Sequence, residues 1–158
     1  MKSKQKSETV LILHNLRSRE NVGSIFRTGD AAGVSKIYLV GTTPRPTDRF
    51  GRRDNKLLKA SLGAEQFVAW EYAKSIASVL RKVRKERFQV VAVEQAPRAV
   101  SLYAFKRRAR TCFIFGNEVN GIPSSILRVA DKVLEIPMSG KKESLNVAGT
   151  VGIVLFNK

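Results

Sequence analysis

Six short, almost continuous apolar runs constrain this chain more than any other feature. They are "TVLILH" (9–14), "KIYLVG" (36–41), "QFVAW" (66–70), "FQVVAVE" (88–94), "TCFIFG" (111–116) and "KVLEIP" (132–137). A strand that is apolar on both sides has no face to give to water, so it must be covered twice. Runs of this kind separated by amphipathic stretches indicate an α/β fold, a parallel sheet flanked by helices on both faces. The intervening stretches agree. Residues 21–33 place Val22, Ile25, Phe26, Gly29 and Gly33 on one helical face, and 72–86 do the same with Ile76, Val79, Leu80 and Val83. "KLLKASLGA" and "PSSILRVA" read as short helices, and turn-rich 42–55 as a loop. With 158 residues and no repeat or linker, a single domain over 1–158 is expected, preceded by a basic tail at about 1–8.

Charge narrows the partner. Twenty-nine Lys and Arg stand against 13 Asp and Glu, a formal net charge of +16. Such an excess favours a polyanion, with nucleic acid the obvious one. The apolar fraction of 43% suits a globular chain. No run reaches the roughly 18 apolar residues of a membrane span. The early "VLIL" is too short for a signal peptide, so a cytoplasmic location is expected. One cysteine and one histidine exclude an intrachain disulfide and a Cys/His zinc cluster, and no metal is expected. Cys112 reads as a buried thiol, and His14 has no nucleophile beside it.

In a parallel sheet, ligands gather at the carboxyl ends of the strands. The loops after His14, Val40, Glu94, Phe115 and Pro137 are therefore of interest. "FGNEVNGIP" (115–123) is neither a dinucleotide fingerprint nor a P-loop. Gly116 and Gly121 make a turn or admit a ligand. Glu118 accepts a hydrogen bond from a bound group, pairs with an arginine or caps a helix. Further on, Ser144 reads as the N-cap of a terminal helix. Asn146, one turn inside, is hard to explain by propensity. The apolar residues that follow, from Val147 to Phe156, imply burial on most sides, either under the sheet or against a second copy. Asn21 reads as a helix cap or a turn residue. Arg27, opposite its helix's apolar stripe, is either solvated or functional.

The basic clusters are 45–53, 81–87, 106–110 and 141–143. The first is the best RNA-contact candidate, because arginines beside Phe50 can engage phosphate and stack on a base. Each of the others could be a solvated face, and 81–87, on a helix, reads more simply as one.

Three stretches in register, "NLRSRENVGSIFRTGDAAG" (15–33), "FIFGNEVNGIP" (113–123) and "IPMSGKKESLNVAGTVGIVLF" (136–156), resemble the SpoU/TrmH family of RNA ribose 2′-O-methyltransferases, part of the SPOUT superfamily. The resemblance implies a C-terminal deep trefoil knot, which pattern rules would reject, and a homodimer. It implies S-adenosyl-L-methionine as cofactor, bound at Gly116, Ile136, Met138 and Leu145 with Val93 and Glu94 nearby. The catalytic positions carried over are Arg27, Asn21, Glu118, Ser144 and Asn146. The family's "SLNVS" is here "SLNVA", with Ala148 keeping a small residue. No separate RNA-binding domain is expected, so contacts to tRNA or rRNA fall to Arg17, Arg45, Arg49, Arg52 and Arg53. The rival is a non-catalytic RNA-binding or ribosome-associated protein on the same fold, which explains the charge equally well. A dinucleotide enzyme would need a glycine-rich first turn, and "HNLRSREN" has no glycine.

Overall fold

Every strand pair is parallel, as double-sided apolar strands require. A computed structural model describes residues 6–158. Its strands are β1 (Glu8–His14), β2 (Lys36–Val40), β3 (Ala69–Ala73), β4 (Gln89–Val93), β5 (Val100–Ser101), β6 (Arg110–Phe115) and β7 (Lys132–Glu135). They form one sheet in the order β3-β2-β1-β6-β4-β7-β5. Five helices connect them: α1 (Arg19–Ala32), α2 (Asn55–Ser61), α3 (Ile76–Lys85), α4 (Ser124–Val129) and α5 (Val147–Phe156).

Alternation along each strand divides the core in two. Leu11 and Leu13 of β1 join Phe113, Phe115 and Leu134 under α1, α2 and α5. Val10 and Ile12 join Val90, Cys112 and Ile114 under α3 and α4. From β1 the chain first builds outward through β2 and β3, and later returns to place β6 on the other side of β1. That reversal opens a crevice at the carboxyl ends of β1 and β6, where His14 and Phe115 lead into their loops.

Several expectations are corrected. Asn21 does not cap α1: Ser18 does, accepting from the Asn21 backbone N–H at 3.1 Å, and Gly33 closes the helix in the left-handed region. The strand expected over 66–70 lies at 69–73, because Ala64–Gln66 form a 3-10 turn. α3 starts only at Ile76, after the Ser75 cap. The two-residue β5 was not anticipated. Glu8 belongs to β1, which shortens the expected tail, and residues 1–5 of that tail lie outside the described residues. Asn146, rather than Ser144, caps α5, accepting from the Ala148 N–H at 2.9 Å; this is why an asparagine stands there. Within one chain α5 buries a single side, which leaves the alternative of a second copy as the cover for the other. Val151, Val154 and Leu155 face the core, while Ile153 and Phe156 are 44% and 58% exposed.

The 106–110 cluster is not simply a solvated face. Arg107 donates to the carbonyls of Val154 (2.8 Å) and Asn157 (3.3 Å) at the negative end of α5. Arg110 pairs with Glu8 at 2.9 Å and lies over the Phe88 ring. No helix among the described residues is long and apolar enough to cross a membrane.

α1 and α2 meet closely at Gly23, where a Cβ would run into the Leu57 carbonyl and the Ala60 methyl. Gly23→Ala is therefore expected to lower stability by about 1–3 kcal/mol, despite alanine's better helix propensity. Denaturant unfolding checks this.

Candidate functional site

A cleft of about 770 Å³ opens over the sheet's carboxyl edge. Val93–Gln95 follow β4 into it, Phe115–Ile122 follow β6, and Ile136 and Met138 follow β7. Ser144–Val147 lead into α5, and Asn21 enters from α1. The cleft thus gathers Gly116, Ile136, Met138, Leu145, Val93 and Glu94 together with Asn21, Glu118, Ser144 and Asn146. Arg27 is not in its lining. It is exposed, six positions beyond Asn21, hence about 9 Å along the helix axis and turned well away.

A string of polar contacts joins the three motifs. The Glu118 carboxylate accepts from the Arg17 N–H (2.9 and 3.1 Å) and the Ser18 N–H (3.0 Å), capping the positive end of α1. It also accepts from the Asn21 side-chain amide at 3.4 Å. Asn21 Oδ1 in turn accepts from Asn146 Nδ2 at 3.1 Å, and Asn146 caps α5. Each amide therefore has a fixed orientation. Of the alternatives open for Glu118, the structure shows the helix cap. Partial burial pushes its carboxyl upward, but the hydrogen bonds from Ser18, Arg17 and Asn21 outweigh this and leave it below the ordinary range.

Glu94 organises the neighbouring loop. Its Oε2 accepts from the Ile122 N–H at 3.0 Å, and its Oε1 accepts from the Gln95 N–H at 3.0 Å. Gly121 has φ +66, and a Cβ on it would strike this carboxylate. A Cβ on Gly116 would strike Ile122 and the Gly121 backbone. Both glycines thus permit the loop to fold tightly on itself.

Sequence reasoning missed two contributors. Asn117 accepts from the Val119 and Asn120 N–H groups at 2.9 Å and donates to the Asn15 carbonyl at 2.7 Å. It stands within a quoted motif, so the signal was available. Gln95 donates to the Glu143 carbonyl at 2.7 Å and tethers the segment before α5. Nothing local announces that contact, which spans 48 positions.

Residues 8–156 match the model of the SpoU rRNA Methylase family. The chain belongs to this family. An uncharacterized tRNA/rRNA methyltransferase of Synechocystis is 32% identical over 92% of the chain and 51% of its own length. The tRNA (guanosine(18)-2′-O)-methyltransferase of Aquifex aeolicus is 27% identical over 97% of the chain and 69% of its own length. The AdoMet-bound rRNA methyltransferase of Sinorhizobium meliloti superposes with a TM-score of 0.87 at 32% identity, over 96% of this chain and 56% of that one. The chain thus spans about half to two thirds of the length of these relatives.

In this family member a second concavity, of about 460 Å³, adjoins α1 on its other side. It brings together Arg45, Arg52 and Arg53 with Arg19 and Lys56, and Asp48 and Asp54 line it too, so five cations outnumber two carboxylates. Arg45 lies 3.9 Å over the Tyr72 ring, while Arg49 and Arg52 flank Phe50 at 4.7 and 5.2 Å. Arg17 is exposed, and its backbone N–H is committed to Glu118.

A carboxyl held below its ordinary pKa adds stability above the ordinary glutamate value of about 4.3 and loses it as the pH falls through the lowered one. Glu118→Gln is expected to remove this part of the acid dependence, seen as a flatter unfolding midpoint below about pH 4.3. Chemical denaturation at a series of pH values checks it.

Proposed function

We propose that the chain is an S-adenosyl-L-methionine-dependent enzyme that methylates a ribose 2′-hydroxyl in tRNA or rRNA. The observation that carries this reading is the string Glu118–Asn21–Asn146. It draws three separated motifs of one methyltransferase family to the mouth of one cleft. The names of the relatives agree with the reaction class.

The cleft fits the cofactor. Its volume lies in the range of small-molecule sites. Val93, Ile122, Ile136 and Leu145 offer apolar wall for a flat ring. Between Ile136 and Leu145 no backbone N–H donates to another backbone carbonyl among the described residues, which leaves main-chain groups to meet a ligand's polar edges. Gly116, Ile136, Met138 and Leu145 would hold it, with Val93 below. Glu94 acts one step back, by shaping the 116–122 loop. The cofactor, when bound, supplies an electrophilic methyl group.

The remaining work falls to the chain's own residues. Asn21 and Asn146 hold each other's amides and so fix the cleft mouth for a ribose, with positioning as their contribution. A guanidinium donates hydrogen bonds and offers no acceptor, so the role of Arg27 is to neutralise and orient a substrate phosphate, which can take the hydroxyl proton. Standing outside the cleft of its own protomer, Arg27 meets RNA on the outer side of α1. A homodimer joined through the exposed Ile153 and Phe156 of α5 would cover that apolar face and bring a second copy, with its Ser144, towards the site. The contacts of Gln95 with Glu143, and of Arg107 with the end of α5, support a C-terminal segment threaded beneath the 94–107 stretch as a trefoil knot. The basic surface of Arg17, Arg45, Arg49, Arg52 and Arg53 would carry the RNA backbone.

Incubation with S-adenosyl-L-methionine and unmodified RNA, followed by digestion and mass spectrometry, is expected to yield 2′-O-methyl nucleosides. Arg27→Ala and Asn146→Ala are each expected to lower the rate roughly 100-fold or more. A protein that binds no S-adenosyl-L-methionine would overturn the reading in favour of a non-catalytic RNA binder. For the assembly, Ile153→Asp is expected to halve the mass in solution, as light scattering would show.

A further inference from the structure

The loop from Arg45 to Lys56 carries one aromatic side chain, Phe50, among four arginines and a lysine. Phe50 is 67% exposed. It is nevertheless held on a built turn. The Asp48 carboxylate accepts from the Phe50 N–H (2.8 Å) and the Arg52 N–H (3.0 Å), and it binds Arg52 Nε at 2.6 Å. Gly51, at φ +78, closes the turn, and Thr47 pairs with Arg53 across its base. Asp48 therefore spends its hydrogen-bonding capacity on presenting the ring outward, with the Arg49 and Arg52 guanidinium groups over the ring at 4.7 and 5.2 Å from its centre, where a base that stacks there displaces or covers one of them.

The second concavity lies alongside. Arg45 is braced on Tyr72 and Arg19 is paired with Asp54 at 3.1 Å, so both stems are fixed. Arg53 and Lys56 face the same hollow and form no ion pair among the described residues. Arg19 and Asn21 are two residues apart on α1, hence about 200° apart around its axis. The hollow and the cleft thus lie on opposite sides of one helix, about 10–12 Å wide.

We infer that this loop reads unpaired RNA: Phe50 stacks on an extruded base, and the hollow of Arg19, Arg45, Arg53 and Lys56 takes a neighbouring phosphodiester. The inference rests on the RNA substrate proposed above and specifies its class, a single-stranded segment or loop rather than a regular duplex. The chemistry decides between them. Bases within a duplex are already stacked on both faces and have no free face for Phe50, whereas an unpaired base has one. The cationic hollow alone would bind either form, since a phosphate carries no information on pairing.

The test is fluorescence anisotropy with a short labelled single-stranded oligoribonucleotide and the duplex of the same sequence. The wild type is expected to prefer the single strand. Phe50→Ala is expected to weaken single-strand binding roughly 5- to 100-fold and leave duplex binding unchanged, while Phe50→Trp retains the preference. Arg53→Ala with Lys56→Ala is expected to weaken both probes alike and flatten the salt dependence. S-adenosyl-L-methionine binding, followed by calorimetry, should match wild type in every variant, and this also reports that they are folded. A Phe50→Ala protein that keeps the wild-type preference, or loses both probes equally, overturns the inference. A wild type that binds the cofactor but treats both probes alike overturns it too, and leaves the methyltransferase reading standing. Loss of cofactor binding in the wild type, with single-strand preference intact, does the reverse.

Discussion

The carboxylate of Glu118 sits against the first turn of α1, and most of the site's geometry descends from that contact. The N-terminus of a helix leaves N–H groups unpaired and carries partial positive charge. Here the partner that satisfies them comes from a loop about 100 positions away. The β6 loop is thereby pinned to α1, and α1 in turn holds Asn21 in place to meet Asn146 and the start of α5. Three loops from distant parts of the chain become one rigid rim. Because the contact is charge-assisted, it is both stronger than a neutral hydrogen bond and directional.

The positive charges fall into two groups, which the structure separates. Arg84, Arg98 and Arg107 all spend their guanidinium groups on carbonyls at helix C-termini, the first two on Val129 and Leu127 of α4. Arg110 is absorbed by Glu8 and by the Phe88 ring. The cations of the 45–56 loop are instead braced from behind and open in front. A count of lysines and arginines cannot tell these groups apart, since Arg84, Arg107 and Arg110 lie in segments as basic as the 45–56 loop.

The sheet was legible in the sequence because apolar strands declare themselves by continuity, and five of the six runs are strands at nearly their expected positions. "QFVAW" misled because Phe67, although apolar, points outward from a turn, so that the strand begins only at Ala69. Caps were misassigned by a few residues for a physical reason. Ser18, Asn21, Ser144 and Asn146 are all competent caps, and the helix starts that choose between them are set by the fold: Asn146 caps α5 through Oδ1 while its Nδ2 reaches Asn21. Asn21 is held by Glu118 and Asn146, which frees Ser18 for the cap. Long-range side-chain bonds such as Gln95 to Glu143 have no local signature. Family resemblance, rather than periodicity, drew attention to Arg27.

α5 supplies both Asn146, which completes the rim, and Val151, Val154 and Leu155, which complete one half of the core. Its far end is clamped by Arg107. Without these residues the remaining strands and helices have neither a finished core nor a finished rim. A substitution that loosens this helix therefore reaches the core and the cleft together, so stability and cleft shape are not separable properties at α5.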